Sequence, residues 1–290
     1  MTEPAIAVLF AIFIWWFSTG IVLILNRMSR STVSVSLLLS TLLGIAALIG
    51  LVHTAGQTSA AGAYCAFTCA LLVWGWNELS FLTGWITGPR KTALPAVAAG
   101  WWRFVEAFRV VQWHEMGILV VGLAIVGITW NAPNQVGTGT YLVLWIMRTS
   151  AKLNLFFGVR NLSEAFLPPH LAYLQSCFRR RAMNSFFPFS VFAATAWLAL
   201  LVSRASNPAN TAAQSVGFAL VGTMLALAVL EHLLLVLPLD ATALWHWALN
   251  KRASAYKSHS NTDSAAFSAT RPAQADGENL DAHDKLFQIP

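Results

Sequence analysis

Residues 5–25 read AIAVLFAIFIWWFSTGIVLIL, an uninterrupted run of 21 residues without a single charge. A helix rises 1.5 Å per residue, so about 20 apolar residues cross the roughly 30 Å hydrocarbon core of a bilayer. The run therefore predicts a membrane-spanning helix. It does not have the form of a cleaved leader. No basic segment precedes it, no small-x-small cleavage site follows it, and Arg27 and Arg30 come after the apolar stretch instead. Basic residues at that end hold it in the cytoplasm and send the N-terminus outward.

Six more runs of similar character follow, over 33–52, 61–85, 105–129, 139–158, 186–203 and 214–237. The predicted fold class is an all-α, polytopic integral membrane helix bundle of about seven transmembrane helices, N-terminus out and C-terminus in. Composition agrees: 57% of the 290 residues are hydrophobic and 10% are charged. An ordinary soluble domain carries roughly 25% charge. The expected organisation is a seven-helix transmembrane domain over 1–238, a short interfacial helix over 239–252, and a disordered cytoplasmic tail over 253–290, rich in Ser, Ala and Asn.

The distribution of cations tests that count. Of the 18 Lys and Arg, 15 fall near 26–32, 86–109 and 159–185 or in the tail, and only Arg204 falls in the alternate connections 53–60, 130–138 and 204–213. Removing or adding one span would scramble this positive-inside pattern. The formal charge of +6 is thereby explained by topology. Nucleic-acid binding would need a broad basic face instead, and is excluded. A cytoplasmic membrane is the expected location. Trp85, Trp101, Trp102, Trp113, Trp130, Trp245 and Trp247 lie near predicted interfaces, where amphipathic rings prefer to sit. No internal repeat is visible. The three cysteines, Cys65, Cys69 and Cys177, fit no zinc-ribbon spacing.

Polar residues within the spans carry the functional information. A charge at the centre of a transmembrane helix costs about 2.5–3.5 kcal/mol on insertion scales, so it is paired, neutralised or functional. The residues concerned are Glu78, His114, Glu115, Arg148, Lys152, Asn154, Glu231 and His232. Measured along their helices, they fall in one layer on the cytoplasmic side. Three chemistries fit such a layer. Glu78, His114, Glu115, Glu231 and His232 offer N and O ligands to iron, manganese or zinc. Glu78, His114, Arg148, Lys152 and His232 could instead hold a cofactor such as a tetrapyrrole, with a histidine on its central metal and Trp15, Trp16, Trp74, Trp76 and Trp145 as flat neighbours. Finally, the carboxylates could pair with Arg148, Lys152 and the histidines and only fix helix register. Between the fifth and sixth spans, Asn161 and Glu164 have the spacing of a capping box. Pro168 and Pro169 break the chain there, and the stretch from His170 to Arg179–Arg181 reads as a loop anchored to anionic lipid, or as a cap over the polar layer.

Several long strings resemble one family. They are FIWWFSTG (Phe13–Gly20), AGAYCAFTCALLVWGWNELSFLTGWITGPR (Ala61–Arg90), WHE (Trp113–Glu115), PNQVG (Pro133–Gly137), LWIMRTSAKLN (Leu144–Asn154), GVRNLSEAFLPPHLAYL (Gly158–Leu174) and LEHLLLVLPL (Leu230–Leu239). The chain resembles the photosynthetic complex assembly protein 2 family, PuhE, across nearly all of its membrane part. The resemblance implies an accessory role in assembling the bacterial reaction centre and its bacteriochlorophyll. Its partners would be the bilayer and reaction-centre subunits or pigment-synthesis proteins. It brings no catalytic residues with it. Two other classes stay open on the residues alone: a membrane metalloenzyme acting on a tetrapyrrole or other lipophilic substrate through the Glu/His layer, and a small-molecule transporter with Lys152 or Glu78 as its proton-linked group.

Overall fold

The computed structural model describes residues 2–249, apart from Arg27, Ala96, Ser163 and Asp240. The tail expected over 253–290 lies outside the described residues, as does the end of the segment 239–252. The described chain is all-helical, with α1 (Thr2–Leu25), α2 (Arg30–Ala55), α3 (Ala60–Leu82), α4 (Gly100–Ile128), α5 (Val136–Phe157), α6 (Phe186–Ala205), α7 (Ala212–Leu234) and α8 (His246–Leu249). Short 3-10 turns occupy Glu164–Phe166, Pro169–Cys177 and Ala241–Trp245. Helix is the expected outcome of such apolar runs, because in hydrocarbon every backbone N–H and C=O must find its partner within the segment. Six helices, all but α5 and α8, are long and apolar enough to cross a membrane. α5 has 22 residues. Arg148, Lys152 and Asn154 interrupt its apolar character.

α3 and α7 form the centre. α7 packs against α1, α3, α5 and α6, and α3 packs against α2 and α5 as well. One apolar core joins Ala7 and Ala11 of α1, Phe67 of α3, Val143 and Met147 of α5, and Leu220, Met224 and Leu225 of α7. A second joins Leu51 of α2, Trp74 of α3, Ile118 and Ile125 of α4, and Tyr141 of α5. The outer helices instead turn large apolar side chains outward, among them Leu9, Leu38, Leu42, Val120, Leu123 and Leu200. That inversion of the soluble pattern is what a lipid solvent allows. Of the tryptophans expected near interfaces, Trp85, Trp101, Trp102, Trp113 and Trp130 are exposed, whereas Trp245 is buried against Trp15.

Helix ends are set by side chains. Ser29, Ser59 and Thr211 accept backbone N–H groups at the starts of α2, α3 and α7, and Thr211 with Gln214 completes a capping box. α7 stops at Leu234, short of the expected 237, because Asn161 intervenes. Its backbone N–H donates to the Leu235 carbonyl, and its side-chain amide donates to the carbonyls of Leu234 and Leu237. Asn161 thus caps the end of α7 rather than the start of a short helix beside Glu164. The last carbonyls of a helix have no partner within it, and a carboxamide supplies two N–H donors. At the opposite end of the bundle, Asn134 donates to Thr54 O and Gly62 O, each at 3.1 Å, and so joins the end of α2 to the start of α3. The segment after α7 folds back on α1: the Trp16 indole donates to Leu244 O, and the Trp245 indole donates to Trp16 O.

The Asn134→Ala variant removes the two buried hydrogen bonds that tie the end of α2 to the start of α3, so it is expected to lose about 1–3 kcal/mol, while Asn207→Ala, in the exposed loop before α7, stays near wild type. Thermal denaturation of both in mild detergent measures the contrast.

Candidate functional site

The segment Thr83–Ala99 delivers α4 to the ends of α3 and α5. Its residue Gly88 lies on the backbone of α4, where a Cβ would stand 2.1 Å from Arg109 O and 2.5 Å from Val110 O. Only glycine allows this approach. The contact fixes the next residue back, and the His114 backbone N–H donates to Thr87 O at 2.9 Å. α4 buries a stripe through Arg103, Glu106, Val110, His114, Ile118, Gly122 and Ile125. These spacings of three and four keep one face of a 3.6-residue helix turned to the bundle. His114 enters the core on that stripe, while Glu115 stands one position round, toward α5.

α3, α4 and α5 then join their polar groups. Arg148 Nη2 donates to Glu78 Oε2 at 3.1 Å, and Lys152 Nζ donates to Glu115 Oε1 at 2.5 Å. Arg148 and Lys152 are four residues apart on α5, so each meets a different helix from the same face. His114 is 1% exposed. Its ring stacks on Phe81 with centroids 4.4 Å apart. Its Nε2 stands 4.0 Å from Glu78 Oε1, and neither atom has a hydrogen-bond partner. Beside this group, Asn77 donates to the Tyr141 hydroxyl, which donates in turn to Ile118 O at 3.0 Å.

α7 contributes separately. His232 is 2% exposed, and both ring nitrogens are engaged: Nδ1 with Ala228 O at 2.9 Å and Nε2 with Ser150 Oγ at 3.0 Å. A carbonyl only accepts, so Nδ1 carries the proton and the Ser150 hydroxyl donates to Nε2. Glu231, next in sequence, faces outward, near Trp15 of α1. It has no ion pair among the described residues.

The structure therefore brings Glu78, His114, Glu115, Arg148 and Lys152 into one connected set. It places His232 against Ser150 and leaves Glu231 on the bundle's side. Glu78, His114, Glu115, Glu231 and His232 do not meet as ligands of one metal, and no group of three or more His, Cys, Asp or Glu among the described residues is placed to hold one. The geometric reason is that each His–Glu pair is adjacent in sequence, about 100° apart round its helix. One member faces inward while the other faces a different neighbour. The aromatic side chains also have partners: Trp74 packs edge-on against Tyr141, Trp15 against Trp245, and the Trp76 indole donates to Thr41.

A second polar layer, absent from the sequence expectations, surrounds Glu106. This carboxylate is 2% exposed and takes Arg90 at 2.7 Å and Arg109 at 3.1 Å. Arg103 sits one turn earlier over the Phe156 ring and donates to the carbonyls of Phe156 and Cys177. Hydropathy passes over Glu106, but its place on the stripe through Val110 and His114 could have found it. His170, expected in a lipid-anchored loop or a cap over the polar layer, donates from Nε2 to Leu82 O at 2.9 Å, where α3 ends. Burial pushes the neighbouring Cys177 thiol up to about 11.

A search for similar proteins gives two findings. The family model described as "Protein of unknown function (DUF3623)" matches residues 1–256. A Rhodobacter capsulatus protein described as "Uncharacterized 30.4 kDa protein in puhA 5'region" is 38% identical over 253 residues, covering 86% of this chain and 92% of that one. No solved structure matches. The chain belongs to the DUF3623 family.

Two outcomes follow from the site. Glu115→Gln leaves the Lys152 ammonium unpaired at membrane depth and is expected to cost about 3–5 kcal/mol, whereas Glu115→Gln with Lys152→Met recovers most of the loss; unfolding of the single and double variants in detergent measures the difference. The Cys177 thiol titrates higher folded than its ordinary 9.0. Stability is therefore complete below that pH and falls as pH rises through 9 toward 11, and in Cys177→Ala this part of the decline in melting temperature is absent.

Proposed function

We propose that this DUF3623 protein is a seven-span membrane accessory factor for assembly of the bacterial photosynthetic reaction centre and its bacteriochlorophyll. The observation that carries the reading is the relative's description by place, in the puhA 5' region of Rhodobacter capsulatus, for a protein 38% identical over 92% of its length. That place links the relative to a photosynthesis gene cluster. The resemblance of residues 61–90, 144–154 and 158–174 to the PuhE family supports the same role.

Geometry favours binding over chemistry. Four of the five connected polar residues are joined in ion pairs, and both nitrogens of His232 are occupied. Such a set fixes helices in place and leaves the lateral apolar faces as the surfaces for partner helices or pigment. α5 serves as the seventh span, because α3, α4 and α7 surround it and its two cations face internal carboxylates. The N-terminus is outside and the C-terminus in the cytoplasm, since Arg90, Lys91, Arg160 and Arg179–Arg181 all lie at the end where α3, α5 and α7 finish. The location is the cytoplasmic or intracytoplasmic photosynthetic membrane.

A second reading, a membrane metalloenzyme acting on a tetrapyrrole, draws on one observation: Glu78 Oε1 and His114 Nε2 face each other at 4.0 Å, buried and without partners.

Full-length tagged protein purified in mild detergent from phototrophic membranes separates the two. Assembly predicts copurified reaction-centre subunits, and a gene deletion that lowers reaction-centre absorbance and is rescued by both the wild type and His114→Gln. Near-stoichiometric metal or pigment that is lost in His114→Gln, with no rescue, would establish the enzyme and sink the assembly role. For topology, a C-terminal green fluorescent reporter is expected to fluoresce and a C-terminal alkaline phosphatase to stay inactive; the reverse would overturn the orientation.

A further inference from the structure

The basic turn between α5 and α6 forms a pocket that the polar set does not use. Its volume is about 300 Å³, and Phe157, Arg179, Arg181, Asn184, Ser185 and Phe186 line it. The local backbone explains why two of three consecutive arginines enter. The Arg179 N–H donates to Leu155 O at 3.0 Å, the Val159 N–H to Arg179 O at 3.1 Å, and the Arg181 N–H to Val159 O at 3.1 Å. This pairing forms a parallel bridge of Val159 with Arg180. Successive side chains of an extended segment point to opposite sides. Arg179 and Arg181 accordingly share the pocket, while Arg180 turns away to Glu164 at 3.5 Å.

The other walls are equally determined. Gly158, at φ +119°, has no side chain where Arg181 crosses it; a Cβ there would lie 2.9 Å from Arg181 Cγ and Cδ. Asn184 is buried and holds the floor, donating to Asn154 O and Gly158 O while its own oxygen accepts from the backbone of Phe186 and Phe187. The Phe157 and Phe186 rings stand 5.9 Å apart and make an apolar side. Neither Arg179 nor Arg181 has an acidic partner among the described residues.

Placement selects the ligand. Phe157 ends α5 and Phe186 begins α6, so the pocket opens where these helices leave the membrane. Along α6 the apolar surface continues through Phe189, 73% exposed, and Phe192, 76% exposed. Two forked cations suit a phosphate, and an apolar wall running on into hydrocarbon suits acyl chains.

We propose that this pocket binds the phosphate headgroup of an anionic phospholipid of the surrounding bilayer, with Arg179 and Arg181 on the phosphate, the Ser185 hydroxyl beside it, and the acyl chains along Phe157, Phe186 and Phe189. A soluble phosphate would share the cations but gain nothing from the phenylalanines, which is why the lipid is the occupant.

Full-length protein in mild detergent, titrated with phosphatidylglycerol or phosphatidylcholine and read by native mass spectrometry, tests this. Saturable retention of phosphatidylglycerol is expected, with phosphatidylcholine much weaker. Arg179→Gln with Arg181→Gln weakens phosphatidylglycerol binding about thirtyfold, at roughly one surface-level cation's contribution per arginine, while Arg180→Gln changes it less than about twofold. The wild type alone supplies a check independent of variant folding: high salt weakens its phosphatidylglycerol binding. Equal retention of both lipids, an equal loss in Arg180→Gln, no effect of the double substitution, or no effect of salt would each overturn the proposal. Displacement of the lipid by equimolar inorganic phosphate would also overturn it, assigning the pocket to a soluble anion.

Discussion

Cations and carboxylates at membrane depth have no water to face, and the bundle is organised round that constraint. Arg148 and Lys152 make α5 a poor membrane helix by itself, and it is not among the six that qualify by length and hydropathy. Both cations are paired, with Glu78 of α3 and Glu115 of α4. The pairs thereby determine which helices neighbour α5, and at what height. Apolar packing cannot do this alone, because lipid tails solvate leucine as well as another helix does. The mutual register of α3, α4 and α5 is fixed by polar geometry, and the apolar cores fill in round it.

The same economy of donors governs the surface at the ends of α3, α5 and α7. Their last carbonyls would be left open, and each helix receives a side chain from a distant part of the chain: His170 on α3, Arg103 and Asn184 on α5, Asn161 on α7. Three of these residues come from the connection Gly158–Ser185 and Arg103 from the start of α4. The connections are consequently built as a layer rather than as simple links. Gly88 is where that layer lies directly on α4, and Gly158 is where it folds closely on itself at Arg181. The basic pocket at Arg179 and Arg181 is a product of the same construction, because the backbone bridge that seats the layer also aims those side chains.

The assembly reading and this construction fit together. A protein that presents apolar faces to partners in the bilayer needs a rigid interior, and ion pairs that bond only to each other provide one. The outward carboxylate of Glu231 and the exposed rims of α1, α2 and α6 are then the surfaces open to partners.

Much of this was legible in the sequence. The helices, their approximate ends and the common depth of Glu78, His114, Glu115, Arg148, Lys152, Glu231 and His232 follow from hydropathy, charge and the fixed rise of a helix, which are local properties. What local properties do not contain is azimuth. Whether Glu115 turns to Lys152, whether His232 spends its second nitrogen on Ser150, and whether Glu231 faces out depends on how seven rods rotate against one another. The partners of Asn161 and His170 were hidden for the same reason, since they lie in segments joined only by folding. The sequence by itself thus determined a membrane bundle with a polar layer at one depth. Only the tertiary structure decided which of those groups meet, because hydrogen bonds and ion pairs depend on orientation within a few tenths of an ångström, whereas insertion into a bilayer depends on little more than length and composition.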